Sequence, residues 1–186
     1  MGKNSKEDNI KPRILVVMGV SGVGKSTIAE ALVERLHWPF QEGDDLHPAV
    51  NREKMRSGIP LNDEDRKPWL EDVAAWIDAR RAANEPGIIT CSALKRAYRN
   101  VIIGDRSGVC LLYLQADKNV LEERILKRKG HWMPPKLLDS QLQTLEEPAE
   151  DECAFTVMVH GNVEETVENV ITLLREDKAE CPRSQK

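Results

Sequence analysis

The sequence predicts an α/β fold in which parallel strands alternate with helical crossovers. Three observations predict it. Apolar runs recur at residues 13–19, 87–91, 109–115 and 155–160, with a short candidate strand at 39–42. Stretches with helical apolar spacing lie between them, an order that makes neighbouring strands parallel. The length of 186 residues fits one domain with a full hydrophobic core.

The elements follow in order. Residues 13–19 (RILVVMG) form a continuous apolar run ending in glycine, the pattern of a buried strand. Residues 25–37 carry Ile28, Ala31, Leu32 and Leu36 on one helical stripe. A short strand follows at 39–42. The polar stretch 44–61 holds a short helix beginning at Pro48 and stopping at Gly58. Asn62 or Asp63 caps the next helix, which turns Trp69, Val73, Trp76 and Ile77 to one side. Its two tryptophans stand two helical turns apart, the spacing of core packing. Strands at 87–91 and 109–115 follow. Asp117 then caps a helix running to about Arg128, with Val120, Leu121 and Ile125 inward. After the strand at 155–160, Asn162 with Glu165 resembles a capping box for a last helix ending near Arg175. Residues 1–12 and 176–186 read as polar tails around one domain over 13–175.

Composition narrows the function. Apolar residues make up 40% and charged residues 31%, with a net charge of −4. No basic footprint marks a general nucleic-acid or membrane-surface binder. Cys91, Cys110, Cys153 and Cys181 form no C-x-x-C pair, so neither a zinc site nor a disulfide framework is expected, and the thiols read as reduced. The N-terminal residues lack the apolar core of a secretory signal, and no apolar run approaches the ~18 residues of a membrane span. The expected location is the cytoplasm.

The strongest chemical signal is Gly19-Val-Ser-Gly-Val-Gly24-Lys25-Ser26, followed by Thr27. It matches G-x-x-x-x-G-K-[ST] and sits between an apolar strand and an amphipathic helix, as a phosphate loop must. A triphosphate tail is held best by backbone N–H groups, and Gly19, Gly22 and Gly24 let the chain turn tightly around it. Ser21, Val23 and Thr27 complete the loop, and the following helix adds its positive end. Lys25 is expected on the β- and γ-phosphates and Ser26 on Mg²⁺, making ATP and Mg²⁺ the expected cofactors within a three-layer P-loop NTPase fold.

The loop alone does not name a reaction. A GTPase switch needs an N-K-x-D segment, which the chain lacks; Asp105-Arg-Ser-Gly108 matches D-x-x-G but reads as a surface turn. A motor ATPase needs an apolar run ending in an acid, and Val101-Ile-Ile-Gly-Asp105 is a weak version. A small-molecule kinase fits the length and element order better, with a switch or ATPase as the alternative of another class. Residues 124–131 (RILKRKGH) are basic in an acidic chain, and Arg124 and Arg128 share a helical face. Taken alone, such a run is a solvated helix. Next to a phosphate loop it supplies cations for the migrating phosphoryl group, on a lid hinged by Gly130 and Pro134-Pro135 at about residues 129–140.

Residues 43–69 mix acids, amides, cations and Trp69 in the way a pocket for a hydroxyl-rich acid requires. This stretch, together with the phosphate loop, Cys91–Lys95 with Tyr98-Arg99, and Arg124 through Glu146, resembles the gluconokinases of the shikimate-kinase and nucleoside-monophosphate-kinase type. The likeness spans about residues 13–175. It includes Gly43-Asp44, Leu46-His47-Pro48, Asn51, Lys54-Met55, Asp65-Arg66, Pro68-Trp69-Leu70, Gly130-His131 and Ser140-Gln141. Trp132, Leu142 and Asn100 depart from the family's usual residues. The resemblance implies transfer of the ATP γ-phosphate to the 6-hydroxyl of D-gluconate, a five-stranded parallel sheet, a lid, and often a homodimer. Another small acceptor, a shikimate-like acid or a nucleoside monophosphate, is the alternative.

Within that reading, Asp44 follows the second strand and is the expected group to orient or deprotonate the hydroxyl, with Asp45 as second choice. Lys25, Arg124 and Arg128 complete the expected catalytic set. Arg66 and Lys54 are candidates for the substrate carboxylate, Asn51 for its hydroxyls, and Ser92 and Lys95 lie past the third strand at the ligand-binding edge of an open sheet. His131 bonds substrate from the lid or stays solvated. His47, beside Pro48, reads as a turn-stabilising residue.

Overall fold

The structure, a computed structural model, describes residues 10–127 and 136–176. Its centre is a five-stranded sheet ordered β2-β3-β1-β4-β5, from β1 (Ile14–Met18), β2 (Phe40–Gln41), β3 (Gly87–Thr90), β4 (Val109–Gln115) and β5 (Ala154–Met158). Every pair is parallel; Ile14 of β1 aligns with Gly87 of β3 on one side and Val109 of β4 on the other. The expected α/β architecture is the observed one.

Strand alternation sorts the core onto two faces. In β1, Leu15 and Val17 enter one apolar cluster while Ile14, Val16 and Met18 enter the other. The first cluster takes in α1 (Lys25–Leu36) through Ile28 and Leu32, and α7 (Val163–Arg175) through Val167, Val170, Ile171 and Leu174. The second takes in α3 (Asp63–Ala82) through Trp69, Val73 and Ile77, and α4 (Arg96–Ile102) through Tyr98 and Ile102. Trp76 is only half-buried, with the Arg80 guanidinium 5.6 Å from its ring centroid. Buried on both faces, the central strands read as continuous hydrophobic runs.

Helix ends follow the sequence closely. The reciprocal capping box sits at α3, where Asn62 Oδ1 accepts from Asp65 N at 2.8 Å and Asp65 Oδ2 from Asn62 N at 3.2 Å. Asn162 caps α7 by accepting from Glu164 N and Glu165 N at 2.9 and 3.3 Å. The short helix after Pro48 is α2 (Ala49–Arg56), and α5 is Lys118–Lys127. Two helices add to the expected set. α4 is only seven residues long, too short for a periodic signal. α6 (Lys136–Thr144) begins inside the stretch read as a lid. Among the described residues, no helix is long and apolar enough to cross a membrane.

One buried ion pair fastens α4 to the entry of β5. Arg99, 2% exposed, donates to Glu152 through Nε at 2.5 Å and Nη2 at 2.8 Å, while Nη1 reaches the carbonyls of Ala93, Leu94 and Glu146. Glu152 Oε1 also accepts from Ala149 N at 3.0 Å. Both charges are thus met by fixed partners, as burial demands. Replacing Arg99 with Met leaves the Glu152 carboxylate buried without its cation. Stability is expected to fall by about 3 to 5 kcal/mol, read as a lower urea midpoint.

Candidate active site

A cleft of about 440 Å³ opens where the carboxyl ends of β1, β2 and β3 meet, the edge at which open parallel sheets take ligands. Its floor is the phosphate loop after β1. Gly24 holds φ 102° as the residue before α1, a left-handed conformation that suits glycine and lets the chain pass from loop into helix without strain. Lys25 Nζ folds back to the carbonyls of Gly19 at 3.1 Å and Val20 at 3.3 Å, bracing the loop's first arm. All of Ser21, Gly22, Val23, Lys25, Ser26 and Thr27 line the cleft; Gly19 stands at its base and donates to Ser92 O at 3.4 Å.

The second strand delivers the acids. Glu42 Oε2 accepts from Ser26 Oγ at 2.6 Å, and its other oxygen accepts a short bond from Thr90 Oγ1. Thr90 Oγ1 also receives Gly43 N at 2.9 Å, and Gly43 O receives Trp69 Nε1 at 2.7 Å. Gly43 lies so close to β3 that a Cβ there would stand 1.8 Å from Thr90 O, which no side chain tolerates. Fixed at both polar atoms, Gly43 starts the short 3₁₀ turn Gly43–Leu46, which sets Asp44 on the cleft wall; Asp45 is exposed and is not part of the lining.

The acceptor wall combines Asp44, His47, Met55, Ile59, Arg66 and Trp69. His47 stacks on Trp69, with ring centroids 4.2 Å apart and planes 16° from parallel. Burial, then the charges of Arg66 and Arg52, lower its pKa from 6.5 to about 4, so the imidazole is neutral across the physiological range. Its Nδ1 is buried without a hydrogen-bond partner. Next to the cleft, burial pushes the Cys91 thiol up to about 12, which makes it a core residue rather than a nucleophile.

The opposite end is walled by Arg124 from α5 and by Val159, Gly161 and Val163 after β5. Arg124 Nη1 donates to Val23 O at 3.1 Å, seating the basic helix on the phosphate loop.

The remaining expected residues divide clearly. Ser92 lines the cleft beside the loop. Asn51, Lys54 and Lys95 do not. Asn51 donates to Asp65 O at 2.5 Å and Lys54 to Asp65 Oδ1 at 2.6 Å, tying α2 to the start of α3. Lys95 is bonded to both oxygens of Asp63. Arg128 and His131 lie outside the described residues. Sequence reasoning gave no role to Glu42, Thr90 or Gln141, although Gln141 belongs to the family likeness. Glu42 and Thr90 were findable as polar residues closing apolar strands at the ligand edge. Gln141, whose Oε1 accepts from Ser21 N at 2.7 Å, belongs to a helix the pattern did not reveal.

The neutral His47 makes stability depend on pH. Between its folded value near 4 and the ordinary 6.5, the unfolded chain binds a proton that the folded chain refuses. Its contribution is complete above pH 6.5 and is lost as pH falls toward 4. His47→Phe keeps the stack and removes the titration. Its stability loss between neutral pH and about pH 5 is expected to be smaller than the wild type's by about 2 kcal/mol, read from urea midpoints.

Comparison with known proteins matches this geometry. The family model described as "AAA domain" matches residues 14–148. Gluconokinase of Gluconobacter oxydans is 44% identical over 171 residues, covering 92% of this chain and 96% of that protein. Thermoresistant gluconokinase of Escherichia coli is 41% identical over 166 residues, covering 89% and 95%. The crystal structure of a gluconokinase from Sinorhizobium meliloti superposes with a TM-score of 0.80 at 42% identity, covering 89% of this chain and 93% of that one. With the phosphate loop, the acids of the second strand and the acceptor wall assembled in one cleft, the chain belongs to the gluconokinase family of P-loop kinases.

Proposed function

We propose that the cleft binds ATP and D-gluconate side by side and transfers the γ-phosphoryl group to the 6-hydroxyl, giving 6-phospho-D-gluconate and ADP. Family membership supports the substrate. The presence of Asp44 in the same cleft as the phosphate loop supports the assignment of roles.

The loop amides and Lys25 hold the triphosphate, and the base lies toward Arg124, Val159 and Val163, because the acceptor wall takes the other side. Hard oxygen donors are present for a metal: Ser26 Oγ and the Glu42 carboxylate stand 2.6 Å apart at the loop. Among the described residues no group of three or more His, Cys, Asp or Glu stands together. Ser26 and Glu42 would hold Mg²⁺, which would offset the negative charge of the triphosphate. Asp44 orients the 6-hydroxyl and accepts its proton as the new O–P bond forms and the bond to ADP breaks. Arg124, already at the loop, stabilises the charge on the migrating group. Arg66 receives the substrate carboxylate, and the His47–Trp69 stack forms the face along which the polyol chain lies.

Asp44→Asn is expected to lower kcat by on the order of a hundred- to ten-thousand-fold while changing the gluconate KM little. In a coupled ADP-release assay over D-gluconate, shikimate and nucleoside monophosphates, D-gluconate is expected to be the acceptor turned over. Turnover of another acceptor without turnover of D-gluconate contradicts the substrate assignment.

A further inference from the structure

Arg66 lines the acceptor end of the cleft, yet an acid of its own chain stands within reach: Asp63 Oδ1 is 3.8 Å from Arg66 Nη1. An arginine committed to that carboxylate would be a poor receptor for a substrate's. The surrounding bonds resolve the conflict. Lys95 Nζ donates to both Asp63 oxygens, at 2.9 and 3.0 Å, and the Tyr98 hydroxyl donates to Oδ1 at 2.5 Å. Tyr98 first, then Lys95, hold the Asp63 carboxyl below its ordinary range. Arg66 Nη1 donates to the Tyr98 oxygen at 3.2 Å, and the guanidinium carbon lies 5.6 Å from the Tyr98 ring centroid. The Tyr98 ring is 6% exposed and fixed in the core under α3, so it is a rigid post rather than an adaptable surface group.

We infer that Tyr98 is a positioning residue for acceptor recognition: its hydroxyl, directed onto Asp63, keeps the pairing of Arg66 with that acid to a long 3.8 Å contact through Nη1 and leaves the other N–H groups of the guanidinium for the acceptor's carboxylate. Lys95 assists by sharing the Asp63 charge. This rests on the reading of Arg66 as the carboxylate receptor. It assigns Tyr98, Asp63 and Lys95 a role in selecting anionic acceptors over neutral polyols, although none of the three lines the cleft.

The test compares D-gluconate with D-glucitol, in which a hydroxymethyl group replaces the carboxylate. Tyr98→Phe is expected to raise the gluconate KM about tenfold, as Arg66 turns to Asp63. It should leave kcat at saturating gluconate, the ATP KM, and kcat/KM for D-glucitol within about twofold. Adding Asp63→Asn to Tyr98→Phe removes the competing charge and should bring the gluconate KM back to within about threefold of wild type. An equal loss for both acceptors, an unchanged gluconate KM, or no recovery in the double variant overturns the inference. If Tyr98→Phe does not fold, Lys95→Met, which keeps the tyrosine, should show the same charge-selective rise; its absence likewise overturns the inference. Arg66→Met separates the two levels. An unchanged gluconate KM in Arg66→Met removes the carboxylate reading itself. A raised one, with Tyr98→Phe at the wild-type value, removes only the positioning role.

Discussion

The carboxylate of Glu42 is the point at which the catalytic edge is tied together. One oxygen takes the hydroxyl of Ser26, the first turn of α1; the other takes Thr90, the last residue of β3. Through Thr90 the same knot fixes Gly43, and through Gly43 it fixes the Trp69 indole of α3. Two neighbouring strand ends and two helices therefore share one small polar cluster under an otherwise apolar sheet. Loop, acid and acceptor wall are held at set distances before any ligand arrives, which is the preorganisation that phosphoryl transfer relies on.

Charge is distributed along the cleft with economy. The loop and Arg124 concentrate positive potential where a polyanion would lie. At the acceptor end Arg66 stands beside a histidine kept neutral by burial and by Arg66 itself. A neutral ring stacked on Trp69 gives a face suited to a polyol chain, whereas a second cation there would favour a more highly charged acceptor. The buried Arg99, which does not line the cleft, is paired with Glu152 and serves the fold.

Much of this was legible in the chain itself. Four apolar runs marked β1, β3, β4 and β5 because a parallel sheet buries both faces, and proline, asparagine and glycine marked helix boundaries near Pro48, Gly58, Asn62 and Asn162. The phosphate loop was legible because its chemistry forces glycines and a lysine at set spacing. Residues that act through tertiary bonds were not. Asn51, Lys54 and Lys95 have the right chemistry for a sugar acid, but their partners are Asp65 and Asp63, brought near only by the packing of α2, α3 and α4. His47 looked like a turn residue because nothing in its neighbours announces Trp69, 22 positions on, as the ring beneath it. The bond of Gln141 to the phosphate loop was hidden for the same reason: its partner, Ser21, is 120 residues away.

Phosphorus NMR of the purified protein with ATP, magnesium and D-gluconate tests the central claim most directly. A single monoester resonance coupled to the C6 methylene protons, rising in step with ADP, is the predicted result. Accumulation of ADP and inorganic phosphate with no sugar ester, or an ester at a different carbon, would contradict it.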